Sequence, residues 1–169
     1  SRKIEGNTVP QITKHSIDTT DMRILDLLMD DARRTYRQLA DEVGVSPVTV
    51  MKRVHSMERT GVVQGYTARL DYQALGYDIL AIIQLRISKG KLLEVEERIA
   101  THNAVFAVYD IIGPFDALLL TRFRTTPDMD QFLKTIQTYD FVERTETILV
   151  LNTIKDEPLR VGEDGGSPR

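Results

Sequence analysis

Cysteine and tryptophan are absent from this chain of 169 residues, and histidine occurs only as His15, His55 and His102. Without cysteine there is no disulfide framework, no thiolate metal site and no thiol chemistry. Three scattered histidines do not form a metal cluster, so no metal and no cofactor are expected. Hydrophobic residues make up 41% of the chain, yet no apolar run approaches the roughly 18 residues of a membrane-spanning helix. A basic start followed by an apolar stretch and a small-residue cleavage site is also missing, so the expected location is the cytoplasm. Positive charge is scarce as well. The formal net charge is −3 at pH 7, and taken as an average this counts against a nucleic-acid partner, because binding phosphates draws on positive charge.

The average hides a division. Up to Leu70, bases exceed acids by two; beyond it, acids exceed bases by five. Such asymmetry between halves suggests separate tasks. Residues 1–17 show no period and are set aside as an arm or a tag. Residues 156–169 end in a polar run rich in glycine and proline, which reads as a flexible tail. What remains divides into a head over residues 18–65, a linker over 66–76 and a second domain over 77–155.

The head reads as three short helices. Ile24, Leu25 and Leu28 recur at helical spacing after capping candidates at Asp18 to Asp21. A second helix follows Thr35, buries Leu39, Ala40 and Val43, and stops at Gly44, which can take the positive φ that ends a helix. Ser46 and Pro47 open a third, as N-cap and first helical residue, with Val50, Val54 and Met57 on its apolar stripe. Ala40 lets the next helix approach, Gly44 makes the tight turn and Val45 plugs the angle. This spacing fits a DNA-binding helix-turn-helix, and it also fits a plain helical hairpin.

The charge on the third helix bears on that choice. At about 100° per residue, Val48, Thr49, Lys52, His55, Ser56 and Arg59 point away from the apolar stripe. Arg53 lies on its flank and Glu58 on its border. In a recognition helix, Val48 and Thr49 are placed for thymine methyl groups and Lys52 for guanine acceptors. Ser56 and Arg59, with Arg33, Arg34 and Arg37 around the second helix, are placed for phosphates. Ser46, Pro47 and Arg53 complete the candidate DNA-binding set. His55 reads as a solvated surface histidine. After Gly61, residues 62–71 alternate like a short hairpin or wing, which either reaches the DNA backbone through Arg69 or merely packs.

The second domain predicts strand, helix, strand, strand, helix, strand. The strands fall over residues 77–88, 105–112, 117–123 and 145–154. One helix carries Leu92, Val95 and Ile99; the other carries Met129, Phe132, Leu133 and Ile136 after Thr126-Pro127. This βαββαβ order is the ferredoxin-like pattern. The first strand is apolar on both sides, with Ile79, Ala81, Ile83, Leu85 and Ile87 against Leu80 and Ile82; the third and fourth behave alike. The helices cover one face of such a sheet, so the other predicts a sheet-to-sheet homodimer.

These motifs together resemble the Lrp/AsnC (feast/famine) family of transcription regulators over residues 18–155. Asp21-Met22-Arg23-Ile24-Leu25 is similar to the family's opening. Leu39-Ala40-Asp41-Glu42-Val43-Gly44-Val45-Ser46, followed by Arg53-Val54, is similar to its helix-turn-helix. Thr60-Gly61-Val62-Val63-Gln64-Gly65-Tyr66 resembles its exit, Gly113-Pro114-Phe115-Asp116 its G-x-x-D turn, and Arg144-Thr145-Glu146-Thr147 with Leu149-Val150-Leu151 its last strand. The resemblance implies an α+β chain: a winged helix-turn-helix followed by a ferredoxin-like RAM-type domain. It implies homodimers that assemble further, to octamers, on palindromic double-stranded DNA, and an amino-acid effector bound between domains of neighbouring dimers.

Carried over by position, Gly113, Pro114, Phe115 and Asp116 would line that effector site, with Asp110, Thr145 and Thr147 near it. A carboxylate suits the ligand's ammonium, while hydroxyl and backbone N–H groups suit its carboxylate. Asp116 reads equally as a structural turn residue capping backbone. The segment Thr125-Thr126-Pro127 offers nothing that selects a ligand side chain. Two other functions stay in view. One is an enzyme like the sirohaem decarboxylases that resemble this family, for which His102 is the only histidine of the second domain. The other is an effector-independent metabolite-binding module with a vestigial head, which the cluster Lys52, Arg53 and Arg59 opposes.

Overall fold

The computed structural model describes residues 16–162. Most of the arm expected over residues 1–17, and residues 163–169 of the expected tail, lie outside the described residues. The described residues form two units: 16–68 with 156–162, and 69–155.

The first unit contains α1 (Thr19–Asp30), α2 (Tyr36–Val43) and α3 (Pro47–Arg59). Each helix starts on a side chain that accepts from its first turn. Asp18 and Thr35 form capping boxes with Asp21 and Gln38, and Ser46 accepts from the Thr49 amide with Pro47 in the first turn. Gly44 sits at φ 77° and closes α2. Its amide and that of Val45 both donate to the Ala40 carbonyl. Ile24, Leu39, Ala40, Val50, Val54 and Met57 are buried together, with Leu28, Val43, Val45, Val62 and Val63 packed around them.

A wing was expected after α3, and none forms among the described residues. Residues 64–71 are exposed and carry no strand. Val62 and Val63, read as the start of an alternating strand, both turn onto the helical core instead. The run beyond them has no neighbouring strand to supply the backbone hydrogen bonds that a hairpin needs.

The second unit contains β1 (Ile79–Ile87), α4 (Leu92–Arg98), β2 (Val105–Asp110), β3 (Ala117–Phe123), α5 (Thr126–Gln137) and β4 (Val142–Leu149). The sheet order is β2-β3-β1-β4 and every pairing is antiparallel. Strands β1 and β2, joined through α4, therefore have β3 between them, which is the split βαβ of a ferredoxin-like fold. Ala81, Ile83, Leu85 and Ile87 of β1, with Ala117, Leu119 and Phe123 of β3, form the buried face. Val95, Ile99, Phe132 and Ile136 of the helices share their core. Thr121 is the polar exception in this row, and its hydroxyl donates to the Ala81 carbonyl at 2.9 Å, so its burial leaves nothing unpaired.

The last strand differs from expectation. It spans Val142–Leu149 rather than residues 145–154. Its start is masked in the sequence by Glu143, Arg144 and Glu146, which dilute the apolar alternation. Its end is set by its partner: β1 begins at Ile79, and the Val150 amide makes the final bond, to Leu80. Residues 151–154 carry no strand and lie exposed. On the face away from the core, the register aligns Ala107, Leu120, Ile82 and Ile148 in one apolar row across all four strands. None of the four is fully buried within the single chain.

Candidate functional site

Helix α3 is held from one side. Val50, Val54 and Met57 are buried, while Val48, Lys52, His55 and Arg59 are exposed. Val48 is 56% exposed. Among the described residues, neither Lys52 nor Arg59 forms an ion pair. Arg37 is likewise exposed on α2, and Arg33 lies in the turn before it with its amide donating to Asp31. Arg34 reaches toward Glu42 at 3.8 Å. Ser46 and Thr49 hydrogen-bond to each other at 2.8 Å and remain at the start of α3. Ser56 is half-buried.

Arg53 is placed differently from the rest of the expected DNA-binding set. Its guanidinium donates to Asp18 at 2.7 Å and to Asp21 at 2.9 Å. Asp21 is nearly buried, at 4% exposure. Arg53 therefore ties the middle of α3 to the start of α1. It lies on the flank of the apolar stripe, as its angle predicts; nothing local signals that two carboxylates from 32 and 35 residues away meet it.

Two further contacts were not anticipated. The Tyr36 hydroxyl and the His55 Nε2 lie 3.2 Å apart, joining α2 to α3. Tyr66 donates to Glu58 at 2.8 Å. Partial burial and this acidic acceptor push the Tyr66 phenol up to about 12. Glu58, placed at the border of the buried stripe by angle, is exposed. The acid of α3 is thus engaged by Tyr66, and the bases Lys52 and Arg59 are left unmatched.

In the second unit, the turn at residues 113–116 is built around Asp116. Its amide donates to the Leu85 carbonyl, and its carboxylate accepts from the Ile87 amide at 2.8 Å. The side chain thus takes the place of the next backbone acceptor where the β1–β3 ladder ends. The Asp116 side chain nevertheless keeps 43% of its surface exposed. Arg86 Nη1 donates to the Pro114 carbonyl at 2.8 Å, and its Nε lies 3.8 Å from Asp116. Phe115 is buried at 7% exposure with the Arg144 guanidinium 5.6 Å above its ring. Gly113 and Pro114 are exposed.

Not all of the expected effector residues gather here. Thr145 and Thr147 pair with Leu85 and Ile83, so they share the helix-covered face of the sheet, and Gln137 of α5 donates to Thr145. Asp110 pairs with Ala117 on the edge strand. Arg86 and Arg144, which face each other across β1 and β4, were not anticipated. The signal was available: Arg86 is the one charge in the otherwise apolar run of β1, apart from Gln84 its only polar residue. His102 accepts from the Ala104 amide and packs on Phe132 at 4.7 Å. These contacts place the ring at the turn after α4, against the core phenylalanine of α5.

Comparison with known proteins bears on both units. Residues 17–58 match the AsnC-type helix-turn-helix domain, and residues 80–159 match the Lrp/AsnC ligand binding domain. A Pyrococcus furiosus protein named as an HTH-type transcriptional regulator is 38% identical over 141 residues, covering 83% of this chain and 95% of its own length. The chain belongs to the Lrp/AsnC family. Among solved structures of the family, E. coli AsnC superposes with a TM-score of 0.81 at 29% identity, over 85% of this chain and 98% of that one. A Neisseria meningitidis transcriptional regulator in complex with L-Met gives 0.77 at 26% identity, over 84% and 94%.

The chain is thus a DNA-binding transcriptional regulator with a ligand-binding domain, and the helical-hairpin reading of its head is set aside. No helix among the described residues is long and apolar enough to cross a membrane. In this Lrp/AsnC head, the Arg53 tie has a pH signature. The Asp21 amide, and next the Arg53 guanidinium, hold the Asp18 carboxyl below its ordinary value of 3.8. Because the folded-state pKa is lowered, the stabilisation is complete above pH 3.8 and is lost as pH falls below it. Asp18→Asn, which keeps a capping oxygen, should therefore show a shallower loss of head stability on acidification through this range. Urea denaturation followed by far-UV circular dichroism at a series of pH values measures it, and an unchanged acid limb contradicts the assignment.

Proposed function

We propose that this Lrp/AsnC regulator reads its operator with the outward face of α3 and responds to a small amino acid at the Asp116 turn. The observation that carries the first part is the exposed α3 face, where Val48, Lys52 and Arg59 stand free of any acid partner among the described residues. Val48 and Thr49, at the start of the helix, suit base edges; Lys52 suits a guanine or a phosphate; Arg59, Arg33 and Arg37 suit phosphates. Each released counterion adds about 0.9 to the slope of log affinity against log salt. Lys52→Ala with Arg59→Ala should weaken operator binding and flatten that slope by about 1–2 per head. Gel shifts across a salt series read both effects, and an unaltered slope contradicts the assignment.

The second part rests on Asp116, with Arg86 and Arg144 beside it. One Asp116 oxygen serves the Ile87 amide, and the exposed remainder of the carboxylate suits an ammonium group; the two guanidinium groups suit a carboxylate. An amino acid carries both. The L-Met complex of the Neisseria meningitidis regulator supports this class of ligand. A ligand that prefers one assembly state shifts DNA binding by its difference in affinity between states. Asp116→Asn keeps an acceptor for Ile87 but removes the charge. It should leave ligand-free DNA binding within about twofold and abolish the amino-acid response. Thermal-shift titration with the twenty amino acids, on both forms, checks this; an equal shift in both overturns it.

The apolar row Ala107, Leu120, Ile82 and Ile148 supports a third part: a homodimer through the helix-free face of the sheet, assembling further to an octamer. Such a dimer places two α3 helices on a palindrome, with half-sites about 34–36 Å apart or a multiple of it. This work takes place in the compartment that holds the DNA, the cytoplasm. Ile82→Glu with Ile148→Glu should give a monomer by light scattering at micromolar concentration, where the unaltered protein is a dimer or larger. A monomeric unaltered protein would sink this part.

A further inference from the structure

Helix α1 ends against its own dipole. Its last turns carry Asp26 and Asp30, its C-cap is Asp31, and its last turn holds no base. Carboxylates at a helix C-terminus are unfavourable and cations favourable, each by a few tenths of a kcal/mol or more. The missing cation arrives from the far end of the chain. Arg160 pairs with the Asp30 carboxylate and donates to the Asp26 carbonyl. The next two backbone amides, of Val161 and Gly162, donate to the two oxygens of Asp26, each at 2.9 Å. This single carboxylate is thus gripped by consecutive N–H groups of a segment more than 130 residues away in sequence. Arg160 beside it holds the Asp30 carboxyl below its ordinary value.

Much of the stretch leading to this contact is exposed. Leu151 is 90% exposed, Ile154 95% and Leu159 84%. Residues 151–160 carry no helix or strand. An exposed segment of this kind gains little from burial that would offset the cost of ordering it. The contacts of residues 160–162 are the ones that give it a defined end. Gly162 has a steric reason as well: a Cβ at this position would fall on Asp26 Oδ2 and push the carboxylate off its two amides.

We propose that the acidic end of α1 is a docking site for the chain's own C-terminal segment, Arg160–Gly162. The segment follows β4 of the ligand-binding domain, while α1 belongs to the DNA-binding head. Docking therefore gives the head a second chain connection to the ligand-binding domain, besides the linker that precedes β1. The latch is made of one exposed ion pair, one guanidinium–carbonyl hydrogen bond and two hydrogen bonds from backbone amides, so it is reversible and salt-sensitive. The expected flexible tail is, in its first half, a strap.

The test is a charge-reversal cycle in the full-length protein. Arg160→Glu should speed amide exchange in the last turn of α1 by about twofold to fivefold, the equivalent of one exposed ion pair. Adding Asp30→Arg should bring it back toward the original rate. Unchanged exchange in Arg160→Glu, or no rescue by Asp30→Arg, overturns the latch.

Discussion

A recognition helix must be anchored firmly while one whole side of it is left bare, and the head of this protein is organised around that constraint. Val50, Val54 and Met57 spend the inner side of α3 on the core with Ile24 and Leu39. Hydrophobic burial fixes which side of α3 faces inward, but being non-directional it resists small rotations about the axis less sharply than a directed contact does. The ion pairs from Arg53 to Asp18 and Asp21 resist that rotation, since Asp21 is fixed by the first turn of α1 and nearly buried. Loss of Arg53 would strand a desolvated carboxylate, which costs more than the pair itself contributes. The capping residues Asp18 and Asp21 thus serve two helices at once, which links the start of α1 to the orientation of the exposed face of α3.

The ligand-binding domain shows a similar economy. Asp116 finishes the β1–β3 ladder by accepting the Ile87 amide with its side chain. The structural and ligand-binding readings of this residue are therefore compatible: one oxygen belongs to the backbone, and the exposed part remains open to solvent. Arg86 holds the Pro114 carbonyl from the neighbouring strand, so the turn is shaped by the cation that lies beside it. Changes at Arg86 are expected to act on turn geometry as much as on charge, and the conservative change at Asp116 separates the two roles for that residue.

Net charge illustrates how little an average decides. The chain carries −3 overall, yet the acids of the head are largely occupied: Asp18 and Asp21 by Arg53, Asp30 by Arg160, Glu58 by Tyr66 and Glu42 by Arg34. Lys52 and Arg59 on α3 have no such partner among the described residues. The local field that approaching DNA would meet sums these bases with Glu58, whose charge the Tyr66 hydrogen bond leaves in place, over about a Debye length of 10 Å.

Much of this was legible in local patterns. The caps, Gly44 and the apolar periods of α1 to α3 appear in the sequence because helix starts, stops and faces are encoded within a few neighbouring residues. The order βαββαβ was equally readable, as was the double-faced hydrophobicity of the sheet. Local order did not reveal what depends on a distant partner. Residues 62–71 alternate like a strand, but no partner strand lies beside them. Strand β4 begins at Val142 because β1 pairs with it there, against its own polar composition. Thr145 and Asp116 looked like neighbours in one site until the register put the threonine on the helix-covered face. Arg53 read only as a member of the candidate DNA-binding set, and its ties to Asp18 and Asp21 had no local mark. By itself the sequence determined the elements, their order and the family, because these rest on periodicity and short-range stereochemistry. Only the tertiary structure decided which charges are spent and which remain, because an ion pair spanning 35 residues, or 130, leaves no mark in either local stretch.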